Sequence, residues 1–365
     1  MVQSLKSDQF TIIDPIAHPG WDTLIGSMPE HSFFHSSNWA AVLKESYSYR
    51  PLYFTRSEGA KQAKPSVVIP VMEVDSLLTG KRGVSIPFTD YCEPIASDEG
   101  GFSSMFDEVL QYGRRAGWKY VELRGGEKHF NGAAPYRTFL RHVLKIHGGD
   151  EKLFQQASGA TRRNIRTAKN SGIRVAVSDL ESDLREYYRL HCLTRKRHGV
   201  PPQPWGFFRA IFGNAISKGK GFTVLGRHEG RAVAGAVYLH SGKKGIYKFG
   251  ASDLRYQHLR ANNLVMWEAI RWFSGNGFEE LCFGRTEPEN AGLVRFKTGW
   301  GTRKENLFYY RYDLNRSVFM QDSPQTGSSR NRVFKTSGNP ESRIFKALPV
   351  PFLRLAGSLL YRHVG

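Results

Sequence analysis

Cysteine is scarce in this chain, which has three among its 365 residues. Cys92, Cys192 and Cys282 lie far apart and form no C-x-x-C pair. This spacing argues against a disulfide framework and against a thiolate metal site. We therefore predict three reduced, mostly buried thiols and no bound metal.

Long apolar runs are also missing. No stretch reaches the ~18 consecutive apolar residues that a membrane-spanning helix needs. The first ten residues, MVQSLKSDQF, contain no apolar segment of the kind found in secretory signals. We therefore expect a cytoplasmic protein without a membrane span.

Acidic residues are too few to balance the basic ones. The chain has 33 Asp and Glu residues against 52 Lys and Arg residues, which gives a formal net charge of +19 and a pI of about 9.9. Such an excess predicts a polyanionic partner, which could be a nucleic acid, a phosphorylated substrate or an anionic membrane surface. The charge alone does not choose among them.

Several catalytic signatures are absent as well. The sequence contains no G-x-S-x-G, no H-E-x-x-H, no G-x-x-x-x-G-K-[ST] and no nucleotide-binding G-x-G-x-x-G. These motifs therefore identify no catalytic group, and candidates must come from the local context of individual residues.

The length of the chain and one internal repeat predict two α/β domains. The chain is too long for one typical hydrophobic core. A helix, a Gly-aromatic pair and a strand occur in residues 106–124 and recur 160 positions later in residues 267–285. We predict domain 1 at residues 1–149, domain 2 at 150–314, a flexible Ser/Gly/Asn-rich linker at 315–343 and a basic apolar tail at 344–365.

A strongly basic helix is predicted at residues 160–171, ATRRNIRTAKNS. Arg162, Arg166 and Lys169 follow an i, i+4, i+7 spacing and share one face, and Arg163 lies beside them. Residues 160–178 contain no acid. We predict that this helix binds phosphate groups of a donor, and the alternative is an ordinary solvated face.

The segment Glu279–Gly301 combines a buried strand end, a polar loop and a short helix. Leu281–Phe283 reads as the strand, and residues 285–290 form the loop. In the helix, Leu293, Phe296 and Trp300 line one face, with Lys297 at the edge of that face and its amine directed towards the loop. Polar loops at the carboxyl ends of strands often carry chemistry, and the alternative is a solvated loop followed by a helix-terminal lysine.

Five polar side chains near these strand ends are predicted to bind substrate. One of them, Asp253, follows Gly250-Ala-Ser and could instead cap or turn the chain. The predicted substrate-binding residues are Arg285, Glu287, Asn290, Tyr247 and Asp253.

Four segments in order resemble one known family. They are IPFTDYCEPI (86–95), TRRNIRTAKNSGIRV (161–175), the run from IYKFGASD to NNLVMWEAI (246–270) and CFGRTEPENAGLVRFKTGWG (282–301). Together they resemble the FemAB-like transferases, a branch of the GNAT acyltransferase superfamily, over roughly residues 30–313. The stretch TRKRHGVPPQP and the final LLYRHVG resemble a subgroup associated with bacterial exopolysaccharide gene sets.

The resemblance implies two GNAT-like domains in tandem, each an α/β unit with a mixed sheet flanked by helices. It implies acyl or aminoacyl transfer onto an amine of a phosphorylated or lipid-linked cell-envelope precursor, for peptidoglycan or exopolysaccharide. In Fem peptidyltransferases the donor is aminoacyl-tRNA, and no cofactor is tightly bound. The lysine of the Phe-Lys pair in the last motif corresponds to Lys297, which in the family stabilises negative charge at the reacting centre.

Two alternatives stay open beside an aminoacyl transferase. The first is a CoA- or carrier-dependent N-acyltransferase of a sugar amine. The loop Gln257–Asn262 lacks the glycines that a GNAT protein wraps around the CoA pyrophosphate, and Pro201–Pro204 interrupts the segment where a Fem-type helical arm would lie. The second alternative is a non-catalytic basic module that binds RNA or membrane.

The tail segment Ile344–Tyr361 is apolar and basic but too short and proline-broken to span a bilayer. We expect residues 344–362 either to lie on an anionic membrane surface or to dock on the body of the protein. In the first case the protein is peripheral at the inner face of the cell membrane.

Overall fold

The computed structural model of the protein describes residues 8–58, 64–130, 132–321 and 340–365. The described chain divides into two compact units. The first unit takes the residues up to Phe139, residues 307–321 and residues 362–365. The second unit takes residues 140–306 and 340–361.

The described strands and helices alternate along the chain. In chain order the strands are β1 (Asp8–Ile13), β2 (Arg50–Glu58), β3 (Pro65–Val74), β4 (Arg82–Val84), β5 (Ile95–Ala96), β6 (Tyr120–Arg124), β7 (Arg137–Lys145), β8 (Arg174–Ser178), β9 (Gly221–His228), β10 (Arg231–Ser241), β11 (Lys244–Ser252), β12 (Glu280–Thr286), β13 (Arg303–Asp313) and β14 (Val318–Phe319). The α-helices are α1 (Trp21–Gly26), α2 (Ser37–Tyr47), α3 (Glu99–Arg115), α4 (Gly149–Gln156), α5 (Gly159–Asn170), α6 (Glu181–Arg197), α7 (Trp205–Asn214), α8 (Ala261–Gly275), α9 (Ala291–Thr298), α10 (Pro340–Ala347) and α11 (Val350–Leu360).

The unit boundaries differ from the predicted domains. The chain leaves the first unit between Phe139 and Leu140, inside β7, and not near residue 149. Residues 307–313 belong to the first unit because the end of β13 pairs with β6. Such pairing depends on hydrogen bonds between strands far apart in sequence, which composition does not reveal. The predicted linker lies largely outside the described residues, and its described start contains β14, which pairs with β13.

In the first unit the strands lie in the order β1-β2-β3-β4-β6-β13. β1 to β4 form an antiparallel meander, β6 is parallel to β4, and β13 is antiparallel to β6. α3 packs its apolar face on β2 and β3. The helix begins where the Asp98 side chain accepts the Gly101 N–H, and it is followed by Gly117 at a φ of 72°.

The second unit repeats this arrangement with the strand order β7-β12-β11-β10-β9-β8. β8 to β11 form an antiparallel meander, β12 is parallel to β11, and β7 is antiparallel to β12. The repeat seen in the sequence corresponds to α3–β6 and α8–β12, and Gly277 has a φ of 70° after α8, like Gly117 after α3. A left-handed residue after a helix favours glycine, which explains why both turns carry one.

Helices cover both faces of the second unit's sheet. Alternate residues of a strand face opposite sides. In β10, Ala234 and Ala236 belong to the core cluster that contains α4, α5 and α8. Gly235 faces the other side, where a side chain would meet Tyr187 of α6 at 3.2 Å. β11 and β12 pair only over Lys244–Ile246 and Glu280–Cys282, so they share no further ladder towards their carboxyl ends.

Candidate active site

The Lys297 amine is buried and bound to the main chain of β12. Only 3% of Lys297 is exposed. Its Nζ donates to the carbonyl oxygens of Gly284 at 3.1 Å and Arg285 at 3.0 Å. Burying an ammonium is costly unless it is hydrogen-bonded, and these oxygens accept from two of its three N–H groups. The second unit therefore holds a cation at the carboxyl end of β12.

A β-bulge presents both carbonyls to the same amine. In a regular strand, successive carbonyl groups point towards opposite edges. The pairing of β12 with β7 shifts register between Cys282 and Arg285, and Gly284 has a φ of 71°. This left-handed conformation suits glycine because glycine has no Cβ to clash. Glycine at position 284 therefore lets two consecutive carbonyls bind Lys297.

Helix α9 carries Lys297 back to its own strand. The helix begins after Asn290, whose Oδ1 accepts the N–H of Leu293 at 3.1 Å. Lys297 lies in the last turn, where the helix dipole stabilises a cation. The Thr302 hydroxyl donates to the Lys297 carbonyl at 3.1 Å. The short helix expected from the sequence is confirmed. The strand is longer than expected, because β12 continues through Arg285 and Thr286, so the amine binds the strand and not the loop.

A histidine that the sequence analysis did not single out lies across from the bulge. His142 is on β7, between Arg141, which pairs with Arg285, and Val143, which pairs with Cys282. Its side chain is fully buried. Neither ring nitrogen has a hydrogen-bond partner within the described chain. Buried polar atoms usually have partners, so this ring needs an explanation.

The electrostatic surroundings keep His142 neutral. Burial, followed by the positive charges of Lys297 and Lys304, lowers the pKa of His142 to about 4. The imidazole is therefore uncharged at neutral pH and lies in the field of Lys297. A lone histidine in an apolar strand indicates burial only, so no signal in the sequence connects it with a residue more than 150 positions away.

A cleft of about 580 Å³ lies at the start of two helices in the second unit. The first two turns of α5 contribute Thr161 and Asn164, and the start of α8 contributes Arg260 and Asn263. Helix starts carry a partial positive charge and N–H groups without helical partners. Arg295 of α9 also lines the cleft. This combination of groups favours an anionic ligand.

The basic side chains predicted to bind phosphate lie on other faces of α5. The cleft is lined by Ala160, Thr161 and Asn164 of this helix and by none of the four basic residues. Their positions are exposed or half-buried, with Arg162 bonded to Gln155 Oε1 at 2.5 Å. Arg166 stacks over the Phe154 ring at 5.7 Å, and Arg163 and Lys169 are exposed. Their role in donor binding stays a prediction.

The five predicted substrate residues occupy different environments. Asn290 caps α9, and Asp253 caps the turn after β11. The Asp253 carboxylate also pairs with Arg255 at 2.6 Å, and this hydrogen bond is the main reason that its pKa is lowered. The contacts of Asp253 therefore support its role as a cap of this turn.

The remaining three lie nearer to the end of β12. Tyr247 packs against the Phe283 ring with centroids 6.2 Å apart, and burial raises the pKa of its hydroxyl to about 12. Arg285 and Glu287 have exposed side chains at the carboxyl end of the strand. Of these three residues only Arg285 forms part of the bulge itself, and the contact of all three with substrate stays a prediction.

The described residues contain neither a cluster of metal-binding side chains nor a helix that could span a membrane. Within residues 8–58, 64–130, 132–321 and 340–365, no cluster of three His, Cys, Asp or Glu side chains could hold a metal ion. No helix of the described chain is long and apolar enough to cross a bilayer. The three cysteines are all buried and no disulfide joins them.

Residues 156–298 match the family described as Acetyltransferase (GNAT) domain. A lipid II:glycine glycyltransferase of Staphylococcus epidermidis is 30% identical over 98 residues, which are 25% of this chain and 24% of that protein. A lipid II:glycine glycyltransferase of Staphylococcus haemolyticus is 29% identical over 104 residues, which are 26% of this chain and 25% of that protein. The chain thus matches about a quarter of the length of these curated relatives.

Two solved structures share the fold. FemX superposes with a TM-score of 0.64 at 13% identity, covering 84% of this chain and 98% of that one. A tandem GNAT protein from the clavulanic acid biosynthesis pathway gives a TM-score of 0.52 at 6% identity, covering 84% and 99%. The predicted α/β fold with tandem GNAT-like domains is therefore confirmed. The resemblance to FemAB-like transferases is confirmed as well, and the stretch that matches the GNAT domain family, residues 156–298, includes Lys297 and the residues that line the cleft.

Proposed function

We propose that this chain is an acyl or aminoacyl transferase that forms an amide on an amine of a cell-envelope precursor. The observation that carries the proposal is Lys297, a buried cation bound to two main-chain carbonyls at a strand end. It lies in a GNAT domain, and the curated relatives are named lipid II:glycine glycyltransferases. Lys297 is the proposed catalytic residue.

The chemistry is the aminolysis of an ester, or of a thioester if the donor is acyl-CoA. The acceptor amine attacks the donor's carbonyl carbon, so a C–N bond forms and an electron pair moves onto the carbonyl oxygen. The tetrahedral intermediate then expels the donor's oxygen or sulfur, which takes the proton lost by the amine. A fixed ammonium stabilises the oxyanion without reorganising, because the carbonyls of Gly284 and Arg285 already hold it.

The proposed donor is aminoacyl-tRNA, and acyl-CoA is the second candidate. Both are polyanions, which suits the net charge of +19. Arg162, Arg163, Arg166 and Lys169 would contact donor phosphates outside the cleft. The cleft's Arg260 belongs to the glycine-free loop, and a backbone without glycines wraps a pyrophosphate less closely. The absence of glycines from this loop therefore favours an extended polyanion, such as tRNA, over CoA as the donor.

The proposed acceptor is a lipid-linked peptidoglycan or exopolysaccharide precursor. Glycyl transfer to lipid II is what the names of the curated relatives state. Arg285 and Glu287, exposed at the carboxyl end of β12 and just after it, and Tyr247, which packs on Phe283, would orient the acceptor amine towards the ester. We place the reaction in the cytoplasm at the inner face of the membrane, where aminoacyl-tRNA and lipid-linked precursors meet.

The test is a transfer assay on the purified full chain with detergent-solubilised lipid II. Radiolabelled glycyl-tRNA and radiolabelled acetyl-CoA are supplied separately, and mass spectrometry identifies the amide product. We expect transfer from aminoacyl-tRNA that Lys297→Met abolishes and that Lys304→Met, an exposed matched control, preserves.

Two results would redirect the proposal. Transfer only from acetyl-CoA to an amino sugar would establish the CoA-dependent alternative. Tight RNA binding without turnover on any donor and acceptor pair would establish a non-catalytic basic module and would end the proposal.

A further inference from the structure

One face of α11 is fixed to the second unit. Leu353 and Gly357 are buried against α6 and the loop that follows it. A side chain at position 357 would come within 2.0 Å of the Pro202 carbonyl oxygen, so this helix approaches closely. The Tyr361 hydroxyl donates to the Pro201 carbonyl at 3.1 Å. The tail helix is therefore docked, as one of the two sequence-based alternatives states.

The opposite face of α11 is apolar and exposed. Phe352, Leu355 and Leu359 are 60%, 59% and 61% exposed, and their spacing of i, i+3, i+7 places them on one side of the helix. We name these three residues the α11 stripe. Ile344 on the preceding helix is 59% exposed as well. Large apolar side chains gathered on one exposed face indicate an interaction site rather than ordinary surface variation.

Cations on α10 and at the end of α6 accompany the stripe, and the ion pairs of the described residues give them no acidic partner. Residues 342–365 contain four Lys and Arg residues and no Asp or Glu. Burial and the charges of Arg197, Arg195 and Lys346 lower the pKa of His198, which shows that α10 brings its lysine to the end of α6. Within the described chain, no ion pair neutralises Arg197, Lys346 or Arg343. Assembling like charges in this way is unfavourable unless an anion is bound nearby.

We propose that the α11 stripe and the adjacent cations hold the protein on an anionic lipid bilayer. Apolar side chains beside Lys and Arg match the boundary between acyl chains and phosphate headgroups. A second copy of this chain would bring the same positive charge against itself, so the charge favours lipid over self-association. This inference rests on the proposed function in one respect, because a lipid-linked acceptor would then lie in the same surface that the protein binds.

The experiment measures co-sedimentation of the full chain with vesicles. The vesicles are phosphatidylcholine with 30% phosphatidylglycerol, or phosphatidylcholine alone, so that charge is the only difference. We expect binding to the anionic vesicles that weakens in 0.5 M salt and is at least tenfold weaker on neutral vesicles. Equal binding to both compositions, or none to either, would overturn the proposal.

Two variant pairs locate the surface. The triple variant Phe352→Ser/Leu355→Ser/Leu359→Ser should reduce vesicle binding by more than tenfold. Its control, Leu77→Ser/Leu78→Ser, alters exposed leucines in the first unit and should not reduce binding. The double variant Arg343→Glu/Lys346→Glu should reduce vesicle binding about tenfold or more. Its charge-matched control at exposed positions is Lys218→Glu/Lys220→Glu. Equal effects of variant and control in either pair would show that the surface lies elsewhere.

Three further measurements keep the outcome decisive. A Leu355→Cys variant labelled with an environment-sensitive dye should shift to the blue on adding anionic vesicles, and an unchanged spectrum counts against insertion even if a triple variant misfolds. Sedimentation velocity should show a monomer without lipid, and a dimer that the triple serine variant disperses would mean that a second copy covers the stripe. Transfer to detergent-solubilised lipid II should survive the triple substitution, so failure of vesicle binding and failure of catalysis are separately visible.

Discussion

The Nζ of Lys297 lies 3.0 Å from the carbonyl oxygen of Arg285, twelve positions earlier in the chain. The same amine also binds the Gly284 carbonyl. Lys297 therefore closes the loop between β12 and α9 as well as providing the proposed catalytic charge. Because the two roles share one atom, an informative variant must be judged on turnover per folded molecule and on stability separately.

Lys297→Ala should lower kcat by roughly 10²–10³-fold with a smaller change in KM, because an oxyanion partner acts mainly in the transition state. Lys297→Met should behave similarly, since it keeps the apolar stem but not the charge. Lys297→Arg should recover part of the activity, because a planar guanidinium places its charge differently. The measurement is steady-state transfer well below the melting temperature of each variant.

The structural role of Lys297 predicts a separate loss of stability. Lys297→Met removes a buried donor from the Gly284 and Arg285 carbonyls, which costs about 1–3 kcal/mol. Denaturant unfolding measures this loss. Lys304→Met should leave both activity and stability near wild type, because that side chain is exposed. If folded Lys297→Met protein turns over at the wild-type rate, the lysine is structural only.

Gly284→Ala should destabilise the second unit and impair transfer together. An L-residue at the observed φ of 71° costs about 1–2 kcal/mol, and relaxing that strain would turn one of the two carbonyls away from Lys297. Thermal unfolding and kcat report the two effects. Gly275→Ala in α8 is the control, because the added methyl group would meet no atom within 4 Å other than the neighbouring backbone of its own helix, and its φ is not positive. Equal behaviour of the two variants would refute the role of the bulge.

The buried His142 should make stability depend on pH in the acid range. Its pKa is about 4 in the folded chain, against about 6.5 when unfolded. Between these values the unfolded chain binds more protons, so stability falls as pH decreases from about 6.5 to about 4 and is unaffected above that range. The full contribution of this side chain is about 3 kcal/mol at most.

The urea midpoint between pH 7.5 and 4.5 tests this dependence. His142→Phe should lose less stability than wild type on acidification, because the proton uptake of one histidine is removed. His258→Gln, at an exposed position, should follow wild type. Parallel loss in wild type and His142→Phe would mean that the ring titrates normally in the folded protein.

Donor binding should depend steeply on salt if α5 contacts phosphates. For three to four contacts, log Kd against log salt should have a slope on the order of 3 in magnitude for tRNA. Replacing Arg166 and Lys169 with Gln should lower that slope by about one to two. Titrations of tRNA and CoA in parallel decide the donor, and a flat tRNA response or binding of CoA alone would exclude aminoacyl-tRNA.

Gly357→Leu should detach α11 from the second unit. The added side chain would meet the Pro202 carbonyl, which is backbone and cannot move aside cheaply. Limited proteolysis should then cut within residues 340–361 much faster than in wild type. Ser358→Leu places the same side chain at an exposed position and should leave the cleavage rate unchanged. Similar rates for both variants would show that the helix tolerates a wider separation from α6.

Local features of the sequence predicted the helices and strands around the site well. Side-chain spacing and capping residues indicate the basic α5 and the short α9. The turns after α3 and α8 carry glycine because their φ is positive. All of these signals act over a few residues. Unit boundaries were not foreseeable, because β7 and β13 each divide between the two units.

The sequence by itself determined that Lys297 follows a polar loop after a buried strand, because that order is a property of the chain. Only the tertiary structure decided what the lysine meets. The register of β7 on β12 creates the bulge and brings His142 opposite it, and the docking of α11 on α6 leaves one apolar face of the tail exposed. Strand register and helix docking depend on contacts between distant segments, which no local pattern specifies.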